Sequence, residues 1–179
     1  DKRFAIYDLE HPLFNVINGG TIKNINFENV DINRSGQNQI ATLGFNLKNK
    51  GLIEDVKVTG SVTGNNDVAG IVNKIDEDGK IENVAFIGKI DSVGNNSTVG
   101  GIAGSNYMGF VNRAYVDATI TAQNANASML VPFVTYMLNS WKSGTKAKVT
   151  NSVAKGVLDV KNTRKVGGIV AKTWPYGAV

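Results

Sequence analysis

Not one cysteine occurs in the 179 residues, which excludes a disulfide framework, a thiol nucleophile and a thiolate metal site. Histidine is nearly as scarce. The single one, His11, sits in Leu9-Glu-His-Pro-Leu13, without a second imidazole at the i, i+4 spacing of a zinc-hydrolase helix and without the surroundings of a nucleophilic triad. It reads as a turn histidine. Aromatic residues make up only 8% and charged residues 19%, and strong helix formers are few. No apolar run reaches the roughly 18 residues of a membrane-spanning helix, and no signal-peptide pattern is present, which bounds this segment alone.

Basic patterning is missing as well. The formal charge of +4 and pI near 9.2 come from scattered Lys and Arg with acidic residues between them, and the densest stretch runs only from Lys161 to Lys165. Without a basic stripe or aromatics interleaved at strand spacing, no nucleic-acid partner is expected. Lys142-Ser-Gly-Thr-Lys146 falls short of a phosphate loop. Asp76-Glu-Asp-Gly79, flanked by Lys74 and Lys80, lacks the alternating ligand spacing and downstream Glu of a calcium loop, and Asp-Gly there signals a turn. No metal or cofactor is expected to bind this chain.

What the chain has in abundance is Gly, of which there are 20, together with Asn, Val and Ile, a mix suited to short strands joined by tight turns. These residues recur in a phrase. An apolar anchor, an Asn or Asp two places on, and then alternating apolar residues return at Ile22, Ile53, Ile81, Val111, Val149 and Val179, at intervals of 31, 28, 30, 38 and 30 residues. A period near 30 is the mark of stacked structural units. The third copy, Gly79-Lys-Ile-Glu-Asn-Val-Ala-Phe-Ile-Gly-Lys-Ile90, breaks its period of two between Asn83 and Phe86. The chain must bend there if Ile81, Phe86 and Ile90 are all to face inward.

A second phrase fills the other half of each repeat: Val68-Ala-Gly-Ile-Val72, Val99-Gly-Gly-Ile-Ala-Gly104 and Val166-Gly-Gly-Ile-Val170. Degenerate copies lie at Leu13–Val16, Leu43–Leu47 and Leu130–Val134. Small central residues there allow close backbone approach or a sharp bend, and the phrase is expected to make a further face of a coil. Asn-Gly and Asp-Gly dipeptides do not recur at the 8 to 12 residue spacing of antiparallel hairpins.

The expected fold is therefore all-β: a right-handed parallel β-helix, or solenoid, of about five to six rungs in a single domain over residues 1–179. Residues 1–19 form an entry rung and 20–179 the repeats. The excess of the long repeat forms a loop insertion near 135–146. Ile22, Ile53, Ile81, Val111 and Val149 from one phrase, and Ile71, Ile102 and Ile169 from the other, are the expected core. The column Asn24, Asp55, Asn83, Arg113 and Asn151 is open to two accounts: an amide ladder bonding rung to rung, or corner residues that tolerate left-handed backbone. Asp1 in place of Met, and Val179 falling on a sixth anchor, are what a segment of a longer protein would show.

Partner contact, if the chain makes any, is expected from Tyr136, Trp141, Trp174 and Tyr176, the large aromatics of the insertion and of the last residues. For Tyr136 and Trp141, which fall at near-helical spacing with Met137 and Leu138, cover for the solenoid flank is the competing use.

The run Pro12-Leu-Phe-Asn-Val-Ile-Asn-Gly-Gly-Thr-Ile-Lys-Asn-Ile-Asn-Phe-Glu-Asn-Val-Asp-Ile32, with the phrases at Val99–Gly104 and Val166–Val170, resembles the N-terminal and middle region of the streptococcal IgA-protease family of zinc metalloproteases. It also resembles the GLUG repeat found there and in bacterial adhesins. The resemblance implies a non-catalytic β-helical spacer or substrate-engaging module of a secreted protease on the bacterial cell wall that cleaves host proteins such as immunoglobulin A. It implies a zinc-binding His-Glu-x-x-His helix in a separate catalytic domain; no position here matches that motif, so no catalytic or metal residue carries over. Implied partners are a host protein or glycoprotein, or other domains of the parent, with no membrane contact within this segment. Two other classes stand beside it: an adhesin-type repeat binding host glycoprotein or carbohydrate without enzyme activity, and a carbohydrate-active β-helix, which would need a groove of carboxylates and aromatics.

Overall fold

A computed structural model describes residues 3–95, 97–131, 133–134, 147–162 and 164–173. All of its strand pairings are parallel and lie in three sheets. The first holds the long strands β1 (Phe4–Tyr7), β3 (Thr21–Arg34), β6 (Leu52–Gly64), β9 (Lys80–Ser92) and β12 (Phe110–Gln123), with β15 (Lys148–Thr150) and β16 (Val153–Lys161) both beside β12. The second holds β4 (Ile40–Ala41), β7 (Val68–Ala69), β10 (Thr98–Gly100), β13 (Asn126–Ser128) and β17 (Lys165–Gly167). The third holds β2 (Phe14–Asn18), β5 (Gly44–Lys48), β8 (Val72–Ile75), β11 (Ala103–Asn106), β14 (Phe133–Val134) and β18 (Lys172–Thr173). Each coil visits the sheets in that order, so the chain is a β-solenoid.

The anchors of the first phrase sit directly over one another. Ile22 pairs with Ile53, Ile53 with Ile81, Ile81 with Val111, and Val111 with Val149. Four complete turns separate the first anchor from the last, and β1 and β2 add a partial coil before them. Val179, the sixth anchor, lies outside the described residues. Ile53, Ile81, Val111, Val149, Ile71 and Ile102 are buried, while Ile22 and Ile169, near the two ends of the stack, are half-buried against the same core. An end rung has a neighbour on one side only, which accounts for the difference.

The bend expected between Asn83 and Phe86 is made by one residue. Asn24, Asp55, Asn83, Arg113 and Asn151 all adopt left-handed backbone, with φ between 50° and 57°; the strand runs on through the first four, and at Asn151 it divides into β15 and β16. The bend does not split the phrase in β3, β6, β9 and β12, each of which is one strand of 13 or 14 residues. In one coil the single left-handed residue resets the alternation so that Ile81, Val84, Phe86 and Ile90 all face the core. Both accounts of the column hold in part. The corner conformation is common to all five residues, and side-chain bonds between rungs occur where the chemistry permits: Asn83 donates to Asp55, and Asn151 to Asn112 at 2.9 Å.

The second phrase does more than form one face. Val68–Ala69 is a strand of the second sheet, Val72 begins a strand of the third, and Gly70-Ile71 turns the corner between them. A Cβ on Gly70 would collide with the Gly101 carbonyl oxygen of the next rung and with the Phe86 ring, so close backbone approach is what demands glycine there. The insertion at 135–146 lies outside the described residues, yet the coil resumes in register beyond it. Lys148 pairs with Phe110 and donates its N–H to the Gly109 carbonyl at 3.0 Å.

Candidate functional site

The corner at Gly70-Ile71 brings the second and third sheets close together. Asn73 of β8, only 3% exposed, donates its side-chain amide to the Ile40 carbonyl of β4 at 2.7 Å. A groove of about 290 Å³ opens between the two sheets. Gln39, Asp67 and Thr98, from three successive coils, line one lip; Lys74, Ser105 and Tyr107 line the other. Asp67 Oδ1 accepts the Thr98 N–H and the Thr98 hydroxyl, both at 2.8 Å. The Lys74 ammonium lies 2.7 Å from Asp76 Oδ2 and 4.7 Å from the centre of the Tyr107 ring.

Sequence reasoning placed partner contact elsewhere. Tyr136, Trp141, Trp174 and Tyr176 lie outside the described residues, as does the segment resembling a phosphate loop. None of the groove residues was singled out for binding. Gln39 and Asp67 each occupy the position just before a second-sheet strand and Thr98 opens the next, so aligning the repeats one residue ahead of the Val-x-Gly-Ile phrase would have collected that lip.

The other sequence features resolve into structure. His11 is exposed. The acidic turn is closed by the Gly79 N–H donating to the Asp76 carbonyl at 2.9 Å, with Glu77 and Asp78 both left-handed at φ 45° and 63°. The Asp76 carboxylate holds both Lys74 and the Glu77 N–H, the latter at 3.1 Å. Glu54 and Glu82 stack in register on the first sheet, and Arg113 meets Glu82 at 2.8 Å. Farther along the same sheet, a hydrogen bond and the charge of Asp117 raise the pKa of the exposed Lys155 above that of free lysine. Such exposed pairs add little to stability. Among the described residues, no three His, Cys, Asp or Glu side chains come together where they could hold a metal ion, and no helix is long and apolar enough to cross a membrane. The described part of this chain thus offers no fit for zinc.

Comparison with known proteins matches residues 1–60 to the family described as M26 IgA1-specific metallo-endopeptidase, N-terminal region. Zinc metalloprotease ZmpB of Streptococcus pneumoniae serotype 4 is 56% identical over 99% of the chain. The chain belongs to the M26 IgA1-protease family. Zinc metalloprotease ZmpC of the same organism is 33% identical over 99% of the chain, and an immunoglobulin A1 protease of Streptococcus sanguinis is 27% identical over 97%. The chain spans about 9% of the length of these M26 relatives. A crystal structure of a candidate immunoglobulin A1 protease from Bacteroides ovatus superposes with a TM-score of 0.50 at 17% identity, covering 94% of this chain and 59% of that one. That likeness supports the fold alone.

Proposed function

We propose that this chain is a non-catalytic solenoid module of a secreted, cell-surface zinc metalloprotease, where it spaces and orients a host protein substrate such as immunoglobulin A. The observation that carries this reading is the parallel stacking of the anchors from Ile22 to Val149, in a chain matched over 99% of its length by a relative named a zinc metalloprotease. Four turns at about 4.8 Å each carry the outer face through roughly 19 Å, with side chains presented at every rung. A module of this kind acts by holding contact points at fixed separation, which lowers the ordering cost of engaging a large substrate. Zinc and the hydrolytic residues belong, in this reading, to a part of the parent outside this chain.

The test exchanges residues 20–173 for a Gly/Ser linker of equal length in the parent protease. Cleavage of intact immunoglobulin A1 is expected to fall at least about tenfold in kcat/KM, a change of about 1.4 kcal/mol, while cleavage of a short hinge peptide stays unchanged. Undiminished cleavage of the intact substrate would overturn the proposal.

A further inference from the structure

We propose that the groove between the second and third sheets is a binding site for a short neutral oligosaccharide. The inference rests on reading the chain as a partner-engaging module and adds the ligand class and the place. At about 290 Å³, the groove sits at the lower end of the roughly 300–1,000 Å³ of small-molecule sites, which suits a few sugar rings rather than a protein loop. Its lips bring together an amide at Gln39, a carboxylate at Asp67, hydroxyls at Thr98 and Ser105, and the Tyr107 ring. Paired donors and acceptors beside an aromatic ring are what a pyranose needs, because its vicinal hydroxyls bond in pairs and its C–H face packs on a ring.

The cation among the groove residues is already committed. Lys74 is held by Asp76, and one oxygen of Asp67 is engaged twice by Thr98. An anionic ligand would have to compete with Asp76 for Lys74, whereas the hydroxyl of a neutral polyol can donate to the second Asp67 oxygen, which accepts nothing from the described residues.

An extended peptide fits less well. Strand addition needs a free sheet edge, and among the described residues those edges are β1, β4 and β2 at one end of the stack and β15, β16, β17 and β18 at the other, whereas the groove is lined across three successive coils. The three coils that line the groove lie about 4.8 Å apart along the axis, comparable with the advance of one sugar along a glycan, so successive rings would meet successive rungs.

The experiment is a titration of the chain, labelled with nitrogen-15, with lactose, maltotriose and chitotriose, following backbone amide shifts. At least one probe is expected to give saturable shifts, with a dissociation constant of about 1 mM or tighter, confined to segments around Gln39, Asp67, Lys74, Thr98 and Tyr107. Asp67→Asn and Tyr107→Ala should each weaken that probe at least fivefold without moving the thermal melt. The shift map needs no variant, so it stands even if one of them fails to fold. Absence of saturable shifts with all three sugars up to about 20 mM, saturable shifts elsewhere on the solenoid, or unaltered binding by both folded variants would each overturn the proposal. The linker exchange in the parent protease measures the module role separately, so a failure here and a failure there are distinguishable.

Discussion

Ile81→Asp is expected to destabilise the chain by at least about 4 kcal/mol, the sum of a lost aliphatic side chain and a carboxylate brought among apolar neighbours. Ile81 is fully buried and stacks between Ile53 below and Val111 above. A charge there meets only hydrocarbon, and neither neighbouring rung can supply a donor without breaking its own register. For a chain of this size such a loss corresponds to a fall in Tm of roughly 8–16 °C, followed by circular dichroism. Lys89→Asp, on the exposed face of the same strand, should stay within about 0.5 kcal/mol of the unaltered chain. Equal melts for the two variants would reverse the inside and outside of the coil.

Gly88→Val carries the second large effect, and for a different reason. Gly88 has φ 151°, a conformation that side-chain-bearing residues rarely adopt, and a Cβ there would strike the Gly60 carbonyl oxygen of the rung below. Three of the five residues in the column are glycine: Gly60, Gly88 and Gly156 have φ of 131°, 151° and 125°, with Val30 below Gly60 and Ala118 between the last two. A valine would bring backbone strain of about 1–3 kcal/mol together with the displacement of a neighbouring strand that cannot move alone. The expected cost is about 3–5 kcal/mol, measured by urea denaturation. Gly36→Ala is the control, since nothing lies within 4 Å of its added carbon; it should be neutral or slightly stabilising. A Gly88→Val variant as stable as the control would contradict the rung-to-rung packing described above.

The repeat was legible because a parallel solenoid converts sequence period into space. Residues one coil apart are neighbours, so the chemical demand at Ile53, Ile81 and Val111 is the same demand repeated. The same holds for the left-handed corner, where Asn24, Asp55, Asn83 and Asn151 repeat a backbone preference, and Arg113 adopts the conformation without sharing it. Strand division was less legible. A single left-handed residue flips the alternation without ending the ladder, which in the sequence looks like a break.

One lip of the groove was legible only as a column of aligned positions, and the other was not legible at all. Gln39, Asp67 and Thr98 stand in that column but differ in chemistry, because an outward-facing position is held less tightly by the rungs above and below than a core position is. Recognising the groove required knowing that Gly70 and Ile71 turn the chain so that two sheets come close together. The burial of Asn73 and its bond to Ile40 are the marks of that closeness, and both are three-dimensional facts.

The claim on which all of this depends is the in-register stacking of parallel strands, and the absence of cysteine makes it directly measurable. Spin labels placed through Lys89→Cys and Thr119→Cys, which pair across β9 and β12 with both side chains exposed, would sit on strands about 4.8 Å apart. The account predicts strong dipolar broadening of the electron paramagnetic resonance spectrum in the double variant relative to either single variant. A double-variant spectrum that is only the sum of the two singles would contradict it.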